Sequence, residues 1–249
     1  MTLIKKLGKL PVKHDLRTLQ VGKYLNAAAL PTFPHVYQYS KDLSQNWGMM
    51  GNDSIGDCTC AAAGHGIMSW TDDCGNVVTP SDADIITAYS AVSGYDPSTG
   101  ANDNGAACLD VLNYWRKTGV GGRTINSYAQ ITVSNLHQLQ ASIYLFGLAY
   151  IGIGLPISAQ TQSKVWSLPP SLTGNGAPGS WGGHCVIVTG WDTTGVDVIT
   201  WGEQIRMTWG FWKAYVEEAY AIISNDFIKA GKSPAGYNLA QMQADLKLV

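Results

Sequence analysis

Gly51-Asn52-Asp53-Ser54-Ile55-Gly56-Asp57-Cys58, running on into Thr59-Cys60-Ala61-Ala62-Ala63, is the stretch from which the rest of the chain can be read. Asp57 is a candidate helix N-cap, and the small residues after it tolerate a helix. A helix opening at Cys58 sets that thiol in the positive end of the dipole, which favours thiolate. Gly56 allows a tight turn just before it. The Cys58 N–H is one of the donors that no helical bond uses, so it can face a developing oxyanion. The Asn52 side-chain amide supplies a second donor. The same residues also read as a small buried side chain opening a core helix. Cys60 lies about 200° around the helix from Cys58, so the two cannot face one cleft, and the Gly-Asp-Cys register selects Cys58. His65, two turns on, reads as a packed helix histidine. The Asp57 charge opposes thiolate formation unless it is turned away as a cap.

The second informative stretch is Gly182-Gly183-His184-Cys185-Val186-Ile187-Val188-Thr189-Gly190-Trp191. A histidine entering an apolar strand from a glycine-rich loop is placed at a cleft edge. Its imidazole can take the Cys58 proton and activate the sulfur. A strand-end histidine also reads as a satisfied core residue.

Between and around these stretches the pattern changes character. Residues 1–38 read as an extended arm broken by Pro11, Pro31 and Pro34. Residues 39–125 form a helical lobe. After the Cys58 helix, Thr79-Pro80-Ser81-Asp82 opens a second helix with Pro at its first position, and a third spans 106–117. Residues 126–228 form a β-rich lobe carrying His184. In it Ser134 caps a helix over 135–145, and strands are expected at 148–155, 185–191 and 196–201. Residues 211–223 fit helix or strand equally. Residues 229–249 form a tail with a short helix over 238–247. The layout is α+β with two lobes.

Composition excludes several classes. The 249 residues are 45% hydrophobic and 14% charged, with a formal net charge of -2. That leaves no electrostatic footprint for nucleic acid and no polybasic membrane patch. No run approaches the roughly 20 apolar residues of a membrane span. The basic start MTLIKKLGKLPVKHDLR has no continuous apolar core and no small-residue cleavage site, so no secretion signal is expected. A cytoplasmic or virion-associated location fits better than classical secretion. Five cysteines, two of them at Cys58 and Cys60, make neither a disulfide framework nor a zinc-ligand pair, and no metal or cofactor is expected. Cys74, Cys108 and Cys185 read as small buried hydrophobes. Glu217 and Glu218 are adjacent, so their side chains should diverge, and they read as surface or cap residues.

Taken in order, these motifs resemble the papain-like cysteine peptidases, over most of the chain. Leu30-Pro31 is similar to the family's Leu-Pro opening. Asn52 stands six residues before Cys58, as an amide side chain does there. Asp103-Asn104-Gly105 through Thr118-Gly119-Val120, and Leu136 to Ile153, are similar to its middle sections. His184-Cys185-Val186 with Gly190-Trp191 matches its histidine strand. Ile199-Thr200-Trp201-Gly202 is similar to its Asn-Ser-Trp-Gly segment, and Trp209-Gly210 repeats its second Trp-Gly. The resemblance implies a helical lobe and an antiparallel β-barrel-like lobe with a cleft between them. It implies Cys58 as nucleophile, His184 as general base and acid, Asn52 as side-chain oxyanion donor and Trp201 as a shield for the catalytic hydrogen bonds. Gly105 would offer backbone to an extended peptide.

The sequence departs from that family in four places. Asn52 replaces a glutamine and is one methylene shorter. Ile199 falls where the family's histidine-orienting asparagine stands and cannot hydrogen-bond, leaving Thr200, Asp192 and Glu203 as candidates. Asp57 precedes the cysteine, and Ile55 replaces a disulfide cysteine. Two functions therefore stand open. One is a thiol hydrolase of peptide or isopeptide bonds acting on a peptide or protein substrate. The other is a catalytically impaired protein of the same fold, serving as a binding or structural module, for example in a virion or envelope assembly, with an oligomer or assembly partner. The arm is shorter than the family's globular leader but long enough to cross a cleft. An open cleft with a Cys58–His184 ion pair would favour the enzyme, and a cleft filled by the arm would favour the module.

Overall fold

The computed structural model describes residues 5–26, 28, 30–39, 46–226 and 240. The tail helix expected over 238–247 lies outside these residues, apart from Ala240, which is helical.

Three helices come first. Helix α1 (Cys58–Asp73) opens at the cysteine, as the small residues after Asp57 suggest. Asp57 occupies the N-cap position, but its side chain makes no cap hydrogen bond, because its backbone is not in the extended conformation that a capping residue needs. Helix α2 (Asp82–Ser93) is held by a capping box, with Ser81 and Asp84 bonding each other's backbone N–H groups. Pro80 therefore sits just outside the helix rather than at its first position. Gly94, at φ 77°, closes it. Helix α3 (Cys108–Lys117) follows.

The second half builds the sheet. Its strands are β1 (Tyr37–Gln38), β2 (Ile125–Gln130), β3 (Ala149–Leu155), β4 (Val165–Trp166), β5 (Gly182–Trp191), β6 (Gly195–Thr200), β7 (Glu203–Thr208) and β8 (Val216–Ser224). Helix α4 (Leu136–Phe146) lies between β2 and β3, capped by Asn135 rather than Ser134. Helix α5 (Trp209–Tyr215) precedes β8, so the ambiguous run 211–223 is helix first and strand after. The strand order is β2-β8-β3-β5-β6-β7-β4, with β1 paired to β5. All pairs are antiparallel except β4 with β7. The sheet is an open path with β2 and β4 at its ends, not a closed barrel.

Alternation along the strands sorts two cores. Tyr150, Cys185, Ile187, Ile199 and Tyr220 pack with the helices α1–α3. Ile151, Val186, Val188, Val198 and Ala219 pack on the other side with α4 and α5. Two buried hydrogen bonds fasten α1 to this frame: Tyr150 Oη to the Thr59 carbonyl at 2.8 Å, and Trp70 Nε1 to the Phe146 carbonyl at 2.6 Å. Gly64 lets Met50 and Ile85 approach the helix, since a Cβ there would overlap the Met50 sulfur. The result is an α+β fold of two lobes, with the N-terminus of α1 facing the start of β5. Among the described residues no helix is long and apolar enough to cross a membrane.

Candidate active site

Cys58 is the first residue of α1, and His184 lies near the start of β5; both are buried. They line one small cavity together with Asn52, His65, Thr200 and Trp201. The two core clusters meet here.

His184 is held on two sides. Its Nε2 lies 2.8 Å from Thr200 Oγ1. Its ring stacks on Trp201, with centroids 4.2 Å apart and planes 14° apart. Nδ1 has no hydrogen-bond partner. Of the three candidate orienters, only Thr200 touches the ring. Asp192 is bound to Thr194 and to Arg206, and Glu203 pairs with Lys164 at 2.7 Å. Ile199, one residue away, points into the helix-side core. The strand's period of two puts the apolar residue on one face and the hydroxyl on the other. Trp201 itself sits at φ 45°, followed by Gly202 at φ 74°, in the two-residue connection between β6 and β7. Positive φ at a tryptophan is uncommon, and the hairpin geometry demands it.

Asn52 is buried beside the cavity and donates an amide hydrogen to the Ile55 carbonyl at 3.1 Å, with the Asp57 carboxyl also within reach of its amide. His65 Nε2 lies 3.0 Å from the Gly48 carbonyl, and its ring packs edge-on against Trp47, as a core histidine. Cys60 is buried in the helix-side core. Cys108 and Cys185 are buried beside each other, whereas Cys74 is exposed, contrary to its reading as a buried hydrophobe.

Residues Lys5 to Leu10 cover this site. The Lys6 N–H bonds the Asn52 carbonyl at 3.1 Å, and Trp201 Nε1 donates to the Lys6 carbonyl at 3.1 Å. The Gly8 and Lys9 N–H groups share the Gly183 carbonyl at 3.2 and 3.0 Å. On the opposite wall the Ala106 N–H bonds the Gly8 carbonyl at 2.8 Å, and the Leu10 N–H bonds the Ala106 carbonyl at 3.0 Å. Gly105, at φ 83°, passes so close that a Cβ there would overlap the Gly8 carbonyl oxygen. Lys5 lies over the Trp201 ring, 4.8 Å from its centroid.

Burial under the arm sets the charge state. Burial pushes the Cys58 thiol up to about 12, against the N–H groups of Cys185 and Gly8, which pull it down. Burial, then the Lys5 charge, push His184 down to about 3. Both partners are neutral in this arrangement. Burial also pushes the Asp57 carboxyl up to about 8, so it is protonated at neutral pH and adds no charge beside Cys58.

The arm also shows what adjacency had hidden. Glu218 is buried rather than a surface or cap residue, while Glu217 is exposed, as its reading expects. Both reach the Lys9 ammonium, at 2.7 and 3.3 Å. The pairing of β3 with β8 passes from Gly152↔Glu218 to Ile153↔Val216, skipping Glu217. That bulge re-aims one of two side chains that a regular strand would send to opposite faces.

The architecture is that of the papain-like cysteine proteases. A cysteine protease called xylellain, from Xylella fastidiosa, superposes with a TM-score of 0.66 at 14% identity, covering 90% of this chain and 98% of that one. Procathepsin B S9 from Trypanosoma congolense gives 0.62 at 10% identity, covering 88% and 87%. The protease and lectin-like domains of Cwp84, a surface-layer-associated protein of Clostridium difficile, give 0.59 at 13% identity, covering 88% and 56%. No family model and no curated protein matches the sequence.

Proposed function

We propose that the protein is a thiol hydrolase of peptide or isopeptide bonds, with its N-terminal arm lying over the site until displaced. The observation that carries this reading is the mounting of His184. Thr200 and Trp201 fix the ring, and Nδ1 is left without a partner on the cavity that Cys58 lines. Most buried side-chain polar atoms find a partner, so a fixed ring with one nitrogen left open on the cavity is a candidate base.

The chemistry follows from that arrangement. With Nε2–H donating to Thr200 Oγ1, Nδ1 is the basic nitrogen and takes the Cys58 proton. The sulfur attacks the substrate carbonyl carbon, and the carbonyl electron pair moves onto oxygen. The Cys58 N–H at the start of α1 stabilises that oxyanion, with the Asn52 side-chain amide as the second donor. The C–N bond breaks, the amine leaves with the proton from Nδ1, and an acyl-thioester remains. Water, deprotonated by Nδ1, attacks the thioester and releases the acid, and Cys58 recovers its proton.

A second reading keeps its place because the arm fills the cleft and the pair is neutral beneath it. On that reading the fold is a binding module. The two are separated with the full chain and its Gly8→Val variant, whose added side chain displaces the arm from Gly56. Hydrolysis of a fluorogenic peptide library that disappears in Cys58→Ala and in His184→Ala supports the hydrolase. Hydrolysis retained by Cys58→Ala sinks it. An absence of hydrolysis, with Cys58 alkylating no faster than Cys108, leaves the module.

A further inference from the structure

The Lys9 side chain enters a slot beside the nucleophile. It is 1% exposed. The slot exists because Gly152 has no side chain; a Cβ there would overlap Lys9 Cε and press on the Glu218 carboxylate. At its end Glu217, 39% exposed, bonds Nζ at 2.7 Å, and Glu218, 1% exposed, lies 3.3 Å from it. Tyr220 Oη donates to Glu218 Oε2 at 2.8 Å, while Oε1 makes no hydrogen bond and faces the Lys9 ammonium. Burial depresses the Lys9 ammonium, and the hydrogen bond to Glu217 with the charge of Glu218 more than offset this, holding it above the usual lysine value.

A carboxylate so deeply buried is costly unless a cation meets it. The arm supplies that cation now. Once the arm leaves, the slot beside Gly152 is left negative at its base. Its mouth lies beside the Gly183 carbonyl and Ala106, to which the arm backbone is hydrogen-bonded.

We propose that this slot is the specificity pocket of the site, taking a lysine or arginine side chain of a peptide substrate, with Glu217 and Glu218 as the recognising residues. The proposal rests on the hydrolase reading for the word substrate, but the pocket itself can be tested by binding alone. An uncharged side chain of equal length leaves Glu218 buried and unpaired, and a site built around a polar contact rejects the analogue lacking it. The chosen residue is the one next to that over Cys58, as Lys9 is next to Gly8.

The test uses the full chain with Cys58→Ala, to prevent turnover, and the arm displaced by Gly8→Val or, in a second version, weakened by Lys9→Ala. A labelled peptide of residues 6–11, and its Lys9→Arg, Lys9→Met and Lys9→Glu forms, are titrated by fluorescence anisotropy. The lysine and arginine peptides are expected to bind about 100-fold tighter than the methionine peptide. Glu218→Gln in the protein should remove most of that difference. Equal binding of the methionine peptide, a preference that survives Glu218→Gln, or no binding in either version overturns the proposal. Hydrolysis is then measured with Cys58 intact. Selective binding without hydrolysis defeats the hydrolase reading and leaves the pocket. Hydrolysis without a basic preference defeats the pocket and leaves the hydrolase.

Discussion

Gly8 and Gly56 meet backbone to backbone: a Cβ on Gly8 would overlap the Gly56 carbonyl oxygen, two residues before the cysteine that opens α1. The arm can lie over Cys58 only because its residue at this point has no side chain. Gly8→Val should therefore lift the arm without touching any side chain that lines the site. Iodoacetamide should label Cys58 at least tenfold faster at pH 7 in the variant than in the parent, by peptide mapping. Equal rates would mean that the arm does not control access.

Thr200 should act on His184 and on little else. If the protein is the proposed hydrolase, Thr200→Ala is expected to lower kcat about 10- to 100-fold in the arm-displaced protein with KM nearly unchanged, since the lost contact would orient the base rather than the substrate. Thr200→Ser keeps the hydroxyl and should recover most of the rate. If Thr200→Ser is as slow as Thr200→Ala, the methyl packing and not the hydrogen bond is what matters.

His184 should make the closed protein acid-sensitive. Its folded value is lowered to about 3 from 6.5, so between those limits the unfolded chain binds more protons than the folded one. Stability is then present above pH 6.5 and is lost as pH falls towards 3. His65, pushed down to about 4 by burial, adds in the same direction. Thermal midpoints from pH 7 to 4 should drop less steeply in His184→Gln than in the parent. Parallel curves would show that His184 is not a buried neutral group.

Asp57 should do the reverse. Its folded value is raised to about 8 from 3.8, so over that window the folded state holds a proton that the unfolded chain has released. The cost of keeping it buried grows as pH rises from 4 to 8. Asp57→Asn is expected to raise stability at pH 8 by on the order of a few kcal/mol, with the gain vanishing near pH 4. A variant stabilised equally at both pH values would refute the titration and point to packing.

Much of the frame could be read from residue order. The small residues after Asp57 announce α1, and the apolar run after His184 announces β5, a strand buried on both faces. Strands β2 (Ile-Asn-Ser-Tyr-Ala-Gln) and β7 (Glu-Gln-Ile-Arg-Met-Thr) are hard to see, because half or more of their side chains are polar and pairing with neighbouring strands stabilises them. The site was legible as a set of residue types, not as a geometry. Choosing among Thr200, Asp192 and Glu203 required knowing which face of β6 meets the histidine. The burial of Glu218 and the convergence of both carboxylates on Lys9 escape a reading in which adjacent side chains diverge, because that assumes a regular strand and the bulge at Gly152 breaks the rule. Asp57 looked like a cap, and its backbone angles rule that role out.

The arm is covalently joined to the domain whose cleft it fills, and that changes what competes with what. A separate inhibitor is weakened by dilution; a tethered one is not, because its local concentration is set by chain length and reaches the millimolar range for a short link. On the proposed hydrolase, an incoming peptide would have to outcompete that standing concentration at the Gly183 and Ala106 backbone and at Glu218 together. A single backbone cut between the arm's grip at Leu10 and the body of the domain would turn the contest from intramolecular to bimolecular. The same contacts, unchanged in number and length, would then hold only as tightly as the released N-terminal peptide can.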